Sequence, residues 1–387
     1  MPLRSIELFA GAGGLAMGFS AEGVEHSAVV EWDKYACDTL RENKRKCVAP
    51  ICYWPDVFDK DVRMFDYRRH ENVDLVTGGP PCQPFSMGGK HRGCLDHRDM
   101  FPEAFRAVRA TRPRAFVFEN VRGLTRPAFF NYFTYILLQL EFPSLQAQPR
   151  ESWSDHLARL EREKTRGTSS EYHVVARVLN AADFGVPQKR ARVLIVGFRA
   201  GLNAEWTFPC PTHSQDALLY EQWVSGDYWE WHEVPRCARP RPAPEIRKRI
   251  DSLRDSIPST MLLPWRTVRD AISDLPEPER ATTSLSPCSH RFQPGARSYL
   301  GHTGSPLDEP AKALKAGDHG VPGGENMLRK VDGSVRYFTV RESARLQTFP
   351  DHFIFHGTWT ESMRQLGNAV PVTLARAIAS SVATCLI

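Results

Sequence analysis

Apolar and polar stretches alternate along the first 200 residues in a way that predicts an open α/β sheet. Short apolar runs of strand length are separated by segments with the spacing of amphipathic or buried helices. We predict strands at residues 5–9, 27–30, 74–78, 114–121, 172–179 and 192–198, and helices at residues 15–22, 33–43, 100–111 and 129–140. This order is typical of a doubly wound, mostly parallel sheet, in which ligand-binding residues follow the carboxyl ends of the strands.

The pattern changes near Gly201. Prolines then become frequent, hydrophobic periodicity weakens, and tryptophans and tyrosines accumulate. Residues 236–249 hold six positive side chains interleaved with prolines, a composition that suits a phosphate-binding face and equally a solvated linker. The chain of 387 residues exceeds the usual size of one domain, so we predict a catalytic domain of residues 1–200 plus 359–387 and a smaller, irregular domain of residues 201–358.

Composition disfavours some classes of protein, namely metal-binding and membrane proteins. The formal net charge of +5 is compatible with a polyanionic partner. The nine cysteines lack the paired spacing of metal sites, which favours reduced thiols and predicts no metal centre. We see no secretion signal before the first strand and no apolar run approaching the ~20 residues that cross a bilayer, so a membrane role is disfavoured.

One cysteine stands in a rigid turn after the strand at residues 74–78. Pro80 and Pro81 precede Cys82 and Pro84 follows it, so the main chain is restricted on both sides of the thiol. A lone cysteine is more often a buried packing residue than a nucleophile. The rigid frame at the carboxyl end of a strand favours a nucleophile here.

A glycine-rich turn follows the first strand, and an acidic residue follows the second. Gly11, Gly13 and Gly14 would let the main chain approach a ligand ahead of a helix amino terminus, although a plain tight turn is an equally good interpretation. Glu31 can accept both hydroxyl groups of a ribose, and Trp32 can stack on an adenine ring. In the alternative interpretation, Glu31 caps the next helix and Trp32 only packs.

A second carboxylate and two arginines complete the set of candidate catalytic residues. Glu119 and Cys82 both follow apolar strands of one predicted parallel sheet, so we expect them at the same edge. Arg190 and Arg192 would point to the same side of an extended segment, and two guanidinium groups there need partners such as a carboxylate. The alternatives are a helix-capping Glu119 and a solvated edge strand.

Several blocks of sequence resemble, in order, the motifs of the DNA (cytosine-5)-methyltransferases, and together they span nearly the whole chain. The blocks are Phe-Ala-Gly-Ala-Gly at 9–13, Glu-Trp at 31–32, Gly-Pro-Pro-Cys-Gln-Pro-Phe-Ser at 79–86, Phe-Glu-Asn-Val at 118–121, Gln-Lys-Arg-Ala-Arg at 188–192, and two further blocks at 337–350 and 363–371. The last block precedes a predicted terminal helix. Motif matches that occur in the order of this family indicate it more specifically than any single motif does.

The resemblance implies an enzyme that uses S-adenosylmethionine (SAM) and duplex DNA. The implied cofactor-binding residues are Phe9, Gly11, Gly13, Gly14, Glu31, Trp32, Asp56, Val57, Pro80, Met100, Asn368, Ala369 and Val370. The implied catalytic residues are Cys82, Glu119, Arg190 and Arg192, and the implied substrate-binding residues are Gln83, Ser86, Arg92 and Gln188. Asp56 and Val57 lie where a further strand is expected to end, and the domain at 201–358 would select the target sequence.

In the implied reaction, the Cys82 thiolate adds to carbon 6 of a cytosine that has been flipped out of the duplex. The addition makes carbon 5 nucleophilic enough to accept a methyl group. Glu119 would donate to ring nitrogen 3, Arg192 would hold the ring oxygen, and Arg190 would steady the loop or the base. The sequence indicates no base for the carbon 5 proton.

Three other functions share parts of this pattern. A tRNA cytosine-5 methyltransferase has a similar Pro-Pro-Cys-Gln loop, but its Cys-Phe-Thr signature is absent from residues 201–358. A catalytically silent SAM-dependent DNA-binding regulator is disfavoured by the intact catalytic residues, and a thymidylate-synthase-like enzyme is disfavoured by Glu31 and Trp32. We expect a monomer in the cytoplasm of a prokaryotic or phage-infected cell, with or without a cognate restriction endonuclease.

Overall fold

The computed structural model describes residues 2–70, 72–81, 99–202, 205–255, 262–279, 289–317 and 326–387. The chain forms two compact units. The first consists of Met1–Leu179, Ala191–Phe208 and Ala375–Ile387, and the second consists of Asn180–Arg190 and Pro209–Leu374. These boundaries differ from the predicted ones, because residues 180–190 and 359–374 pack within the second unit and residues 201–208 pack within the first.

Strands and helices alternate in the first unit, whereas the second unit has short strands among helices. The strands are β1 (Arg4–Leu8), β2 (Glu25–Val30), β3 (Leu75–Gly78), β4 (Ala115–Val121), β5 (Tyr172–Asn180), β6 (Gln188–Lys189), β7 (Ala191–Arg199), β8 (His213–Ser214), β9 (Leu263–Pro264), β10 (Ser305–Pro306), β11 (Ala311–Lys312), β12 (Met327–Arg329) and β13 (Val335–Tyr337). The α-helices are α1 (Gly14–Ala21), α2 (Lys34–Arg45), α3 (Phe101–Thr111), α4 (Phe130–Glu141), α5 (Trp153–Thr165), α6 (Gln215–Tyr220), α7 (Asp227–Trp231), α8 (Pro244–Asp255), α9 (Val268–Ile272), α10 (Val340–Leu346), α11 (Trp359–Asn368) and α12 (Val372–Leu386).

The first unit is built on a six-stranded sheet in the order β2-β1-β3-β4-β7-β5. Strands β2, β1, β3 and β4 run parallel to one another, and β7 is antiparallel to β4. Ile6, Val76, Phe116 and Ile195 are completely buried in its core. The predicted α/β fold with a mostly parallel sheet is confirmed.

Local sequence explains how the helices next to the sheet edge begin. Gly13 precedes α1 at φ 85°, and a Cβ there would lie 2.9 Å from the Trp54 ring, so both the conformation and the space require glycine. Asp33 caps α2 by accepting a hydrogen bond from a main-chain amide of that helix. Gly18 of α1 lets α12 approach, because an added Cβ would lie 2.4 Å from that of Ala375.

The segment between α2 and β3 differs from the prediction. Instead of a strand ending at residues 55–57, the described part of this segment contains three short 3₁₀ helices, at Ile51–Tyr53, Val62–Met64 and Tyr67–Arg69. Only an isolated bridge joins Phe58 to Val30 of β2. Pro50 and Pro55 lack main-chain donors, which disfavours a continuous ladder through this segment.

A buried polar network orders much of the second unit. The Tyr228 hydroxyl lies 2.9 Å from Thr267 Oγ1 and 3.0 Å from Asp308 Oδ1. Arg269 donates two hydrogen bonds to the Asp308 carboxylate, at 2.6 and 3.1 Å. Trp229 packs against Tyr228 in an edge-on contact. These contacts link α7 and α9 to the loop before β11.

One stretch of the described residues, Trp359–Leu386, has the length and hydropathy of a membrane-spanning helix. It consists of α11 and α12, which are separated at residues 369–371. More than half of its most apolar window is buried inside the protein. Two consecutive core helices therefore account for its composition.

Candidate active site

The carboxyl ends of four strands meet at one edge of the sheet. Leu8 pairs with Val30 of β2 and with Gly78 of β3, and Gly78 pairs with Phe118 of β4. The next residues along these strands are Phe9, Glu31, Gly79 and Glu119. The chain runs from β1 outward to β2 and then back across to β3, so this edge contains the topological switch point at which open α/β sheets bind ligands.

The Glu31 carboxylate joins the glycine-rich turn to the start of α2. One oxygen accepts a hydrogen bond from the Gly11 amide at 2.6 Å, and the other accepts from the Trp32 and Asp33 amides at 2.8 and 2.7 Å. Burial raises the pKa of Glu31, and the three main-chain hydrogen bonds oppose this rise. The structure therefore gives Glu31 a role in shaping the turn, and its remaining lone pairs still allow a ligand hydroxyl.

Space and exposed surface at this edge fit an adenosine-containing ligand. An added Cβ at Gly11 would meet no atom within 4 Å, so the main chain of the turn is open on that side. The Trp32 side chain is 67% exposed, so its ring is available for stacking. Phe9 adopts φ 54° directly after β1, which turns the chain toward Gly11.

Asp56 and Val57 line a small cavity rather than the end of a strand. Its volume is about 260 Å³, and its other lining residues are Val29, Leu40, Arg41, Lys44, Ile51, Trp54 and Pro55. The exposed Asp56 carboxylate lies 2.7 Å from Lys44 Nζ, and this hydrogen bond lowers the pKa of Asp56. An adenine amino group that binds Asp56 would have to share it with Lys44.

Glu119 and Arg192 form a buried ion pair at the end of β4. The antiparallel pairing of β4 with β7 sets Val121 opposite Arg192, and Arg192 Nε lies 2.7 Å from Glu119 Oε1. Burial lowers the pKa of Arg192, and the Glu119 charge opposes this shift. The sequence predicted Arg192 as a contact to the base, whereas in the structure its Nε is committed to Glu119.

Asn120 is a site residue that the sequence analysis gave no role. Its side-chain amide donates to the Pro80 carbonyl at 2.8 Å. Gly79 lies so close to Glu119 that an added Cβ would be 3.4 Å from Oε2. The chain that leads from β3 toward Cys82 is therefore held against the end of β4. The Asn120 side chain could have been identified from the sequence, because a polar side chain at the end of a buried strand needs a hydrogen-bond partner.

Four predicted site residues lie outside the residues that the structure describes. They are Cys82, Gln83, Ser86 and Arg92. Pro81 and Met100 flank this part of the chain, and the Met100 amide donates to the Pro81 carbonyl at 3.1 Å. Met100 directly precedes α3 and packs against the core of the first unit. This contact ties the start of α3 to the Pro80–Pro81 turn, and the role of Met100 in cofactor binding stays a prediction.

Arg190 and Arg192 have different partners, contrary to the prediction that they face one site. Arg190 is completely buried in the second unit. Its guanidinium donates to the carbonyls of Leu314, Gly367 and Ala369 at 3.0, 2.5 and 2.9 Å. The prediction is wrong because β6 pairs with β11 whereas β7 pairs with β4, so the alternation of an extended strand does not continue through Arg190.

Gln188 is also internal. It is completely buried, its Nε2 donates to the Leu346 carbonyl at 3.1 Å, and its Oε1 accepts from the Leu314 amide at 3.0 Å. With both ends of the amide occupied, the predicted contact with DNA is corrected to a structural role. At the end of α11, Asn368 is exposed, whereas Ala369 and Val370 are buried.

The groups at the sheet edge suit acid–base and nucleophilic chemistry. They comprise a buried carboxylate paired with a guanidinium, and a glycine-proline turn that leads to a cysteine. Beside them, an exposed indole follows a buried carboxylate. Within the described ranges, no group of three or more His, Cys, Asp or Glu side chains could hold a metal ion.

Comparison with protein families and relatives agrees with this chemistry. The model of the C-5 cytosine-specific DNA methylase family matches residues 3–143 and 160–384. The type II methyltransferase M.NgoMIV of Neisseria gonorrhoeae is 31% identical over 383 residues, covering 98% of this chain and 96% of that protein. The type II methyltransferase M1.HphI of Haemophilus parahaemolyticus is 32% identical over 422 residues, covering 99% and 87%.

Solved structures share the fold over nearly their whole length. The S. pombe Dnmt2 methyltransferase gives a TM-score of 0.55 at 16% identity, covering 99% of this chain and 98% of that one. The Entamoeba histolytica methyltransferase EhMeth gives a TM-score of 0.56 at 15% identity, covering 100% and 99%. At these identities the likeness concerns the fold alone.

Proposed function

The chain belongs to the C-5 cytosine-specific DNA methylase family, and we propose that it methylates carbon 5 of a cytosine flipped out of a specific duplex DNA sequence. Family membership implies methylation that depends on SAM. The observation that carries the proposal is the buried Glu119–Arg192 pair beside the turn that leads to Cys82.

Residues of the first unit would hold SAM, which supplies an electrophilic methyl group when bound. The open main chain at Gly11 leaves room for the ligand, and Glu31 has lone pairs available for the ribose hydroxyls. The exposed Trp32 ring would stack on the adenine, and Asp56 would accept from its amino group. Other residues of the first unit proposed to line the site are Phe9, Gly13, Gly14, Val57, Pro80 and Met100.

Cys82 would attack carbon 6 of the flipped cytosine as a thiolate. As the sulfur–carbon bond forms, Glu119 in its protonated form gives a proton to ring nitrogen 3, so negative charge does not accumulate on the ring. Carbon 5 thereby becomes nucleophilic and gains the methyl group. Loss of the carbon 5 proton, departure of the thiolate from carbon 6 and return of the nitrogen 3 proton to Glu119 then restore the ring.

Arg192 would contact the cytosine directly and would also orient Glu119. Its Nε holds the carboxylate at 2.7 Å, and its Nη1 donates to the Ala191 carbonyl at 2.9 Å. Nη2 is then the donor best placed to reach the ring oxygen, since neither of these contacts uses it. The pair orients Glu119 before the cytosine arrives, which lowers the cost of reorganisation during proton transfer.

The second unit would select the target sequence, and its basic segment supports this proposal. Four side chains of that segment are exposed and make no ion pair with the described residues: Arg236, Arg241, Arg247 and Lys248. Arg249 differs because it pairs with Asp216, and Arg239 donates to the Val234 carbonyl. Exposed positive charges of this kind suit contacts with DNA phosphates.

A restriction–modification setting is the proposed biological context. The matched relatives are type II methyltransferases of bacteria, which supports action beside a cognate endonuclease. The cysteines in the described ranges are free thiols, which supports a reducing cytoplasm. We propose that the enzyme acts as a monomer.

Covalent trapping tests the proposed chemistry. On duplex DNA substituted with 5-fluorocytosine, fluorine cannot leave carbon 5 as a proton does, so the enzyme should remain attached through Cys82. The complex should require SAM and should survive denaturing electrophoresis. Cys82→Ser should form no complex and should bind SAM with nearly unchanged affinity. An equal yield of complex from Cys82→Ser would contradict the assignment of the nucleophile.

A further inference from the structure

Residues 122–130 follow β4 directly and form a compact segment at the carboxyl end of that strand, which we call the β4 cap. It consists of two 3₁₀ helices, Arg122–Thr125 and Pro127–Phe129, and ends where α4 begins at Phe130. Leu124 is completely buried and belongs to the core of the first unit. The β4 cap is therefore anchored beside the candidate active site, within the same unit as Glu119.

Hydrogen bonds within the β4 cap fix its main chain at both of its arginines. The Thr125 hydroxyl donates to the Arg122 carbonyl at 3.0 Å. The Arg126 amide donates to the Gly123 carbonyl at 3.3 Å, and the Phe129 amide donates to the Arg126 carbonyl at 2.8 Å. The two arginine side chains therefore extend from an ordered main chain.

The β4 cap carries a local positive charge. Arg122 and Arg126 are exposed, and neither forms an ion pair with the residues that the structure describes. The sequence contains no Asp or Glu from residue 120 to residue 140. Glu119 precedes the cap, but its charge is paired with that of Arg192 at 2.7 Å. Both charges of the cap are therefore available to a negatively charged partner.

An exposed aromatic ring lies beside these charges in the sequence. Phe130 is 65% exposed, whereas Tyr132 and Ile136 of the same helix are buried. Positive side chains combined with an exposed aromatic ring suit a nucleic-acid backbone, because the charges bind phosphates and the ring covers apolar surface.

We propose that the β4 cap binds the DNA backbone next to the flipped cytosine, with Arg122 and Arg126 on phosphates and Phe130 against the adjoining sugar. The inference rests on the proposed function, in which the cytosine reaches Glu119. Arg122 follows Glu119 by three residues, so their Cα atoms are at most about 11 Å apart. Base and phosphate belong to one nucleotide, so a cytosine bound at Glu119 brings its phosphates toward the cap.

The salt dependence of DNA binding tests this inference. Arg122→Gln and Arg126→Gln should each weaken binding to duplex DNA about 5- to 10-fold and reduce the slope of log affinity against log salt by about one unit. The losses should be equal on two duplexes of unrelated sequence, because phosphate contacts carry no sequence information. Phe130→Ala should weaken binding about 3- to 10-fold with an unchanged slope, because it removes apolar contact and no charge.

Arg150→Gln is the matched control, because Arg150 is also an exposed arginine of the first unit without an ion pair among the described residues. It follows the end of α4 opposite Phe130, and this helix of 12 residues is about 18 Å long. The control changes the net charge equally and should keep the wild-type slope. SAM affinity in calorimetry should match the wild type in all four variants, which excludes a general loss of structure.

Wild-type slopes for both Arg122→Gln and Arg126→Gln would overturn the inference. A slope reduced equally by Arg150→Gln would also overturn it, because the effect would then come from net charge rather than from position. In either case, covalent trapping of the wild-type protein on 5-fluorocytosine DNA through Cys82 would leave the proposed function standing.

Discussion

Arg192 Nε lies 2.7 Å from Glu119 Oε1, and both side chains are buried where β4 and β7 run antiparallel. Two opposite charges in a buried position depend on each other, because removal of one leaves the other without compensation. The cost of such a removal is typically about 3–5 kcal/mol. The pair therefore serves stability and, in the proposed reaction, holds the proton donor in place.

The first prediction concerns the coupling of this pair. Arg192→Gln and Glu119→Gln should each lower the free energy of unfolding, and the double variant should lose less than the sum by about 1 kcal/mol or more. Urea denaturation of the four proteins measures this coupling. Glu119→Gln should also lower the rate of methyl transfer roughly 10²- to 10⁴-fold, since glutamine cannot donate the proton. Additive losses of stability would mean that the two residues act independently.

The second prediction concerns the exposed indole of Trp32. Trp32→Ala should weaken SAM binding roughly 5- to 100-fold, as expected for loss of a stacking ring worth about 1–3 kcal/mol. The stability of the protein should change little, because the ring is 67% exposed. Tyr53→Ala is a matched control, since Tyr53 is 84% exposed and has no predicted ligand contact. Equal SAM affinities of the two variants in calorimetry would remove Trp32 from the site.

The strands of the sheet could be predicted because each long strand is an apolar run bounded by turn residues. The edge that gathers Glu31 and Glu119 follows from where those runs end. The pairing of Arg192 Nε with Glu119 could not be predicted, because it depends on the register of the antiparallel strand β7 against β4. Arg190 was assigned wrongly because the chain changes partner strands at that residue, and no local sequence pattern indicates such a change.

The third prediction concerns Glu7, which is completely buried within β1 and accepts a hydrogen bond from the Thr77 hydroxyl. Burial raises the pKa of Glu7 from 4.5 to about 8. Between these values the folded protein keeps a proton that the unfolded chain releases, so the Glu7 contribution to stability falls as pH rises, by at most about 1.4 kcal/mol per pH unit.

Glu7→Gln should remove this contribution and retain an acceptor for Thr77. Relative to the wild type, the variant should therefore gain stability as the pH rises from about 4.5 to about 8, as measured by urea denaturation across that range. A difference between the two proteins that stays constant with pH would show that Glu7 does not titrate in this window.

The fourth prediction concerns the basic segment of the second unit. Lys248→Gln should weaken binding to all duplex sequences and should reduce the slope of log affinity against log salt by about one unit. Arg249→Gln is the contrasting variant, because the Arg249 charge is already paired with Asp216 and should release fewer counterions. Fluorescence anisotropy at several salt concentrations compares them. Equal slopes for the wild type and Lys248→Gln would exclude a phosphate contact by this lysine.

The central claim is methylation of carbon 5 of cytosine in duplex DNA, and nucleoside mass spectrometry tests it most directly. DNA and tRNA are isolated from cells that express the wild-type protein or Cys82→Ser, and bisulfite sequencing of the same DNA locates the modified positions. The account predicts 5-methyldeoxycytidine in DNA from wild-type cells alone, concentrated in one sequence motif. New 5-methylcytidine in tRNA, with none in DNA, would contradict it.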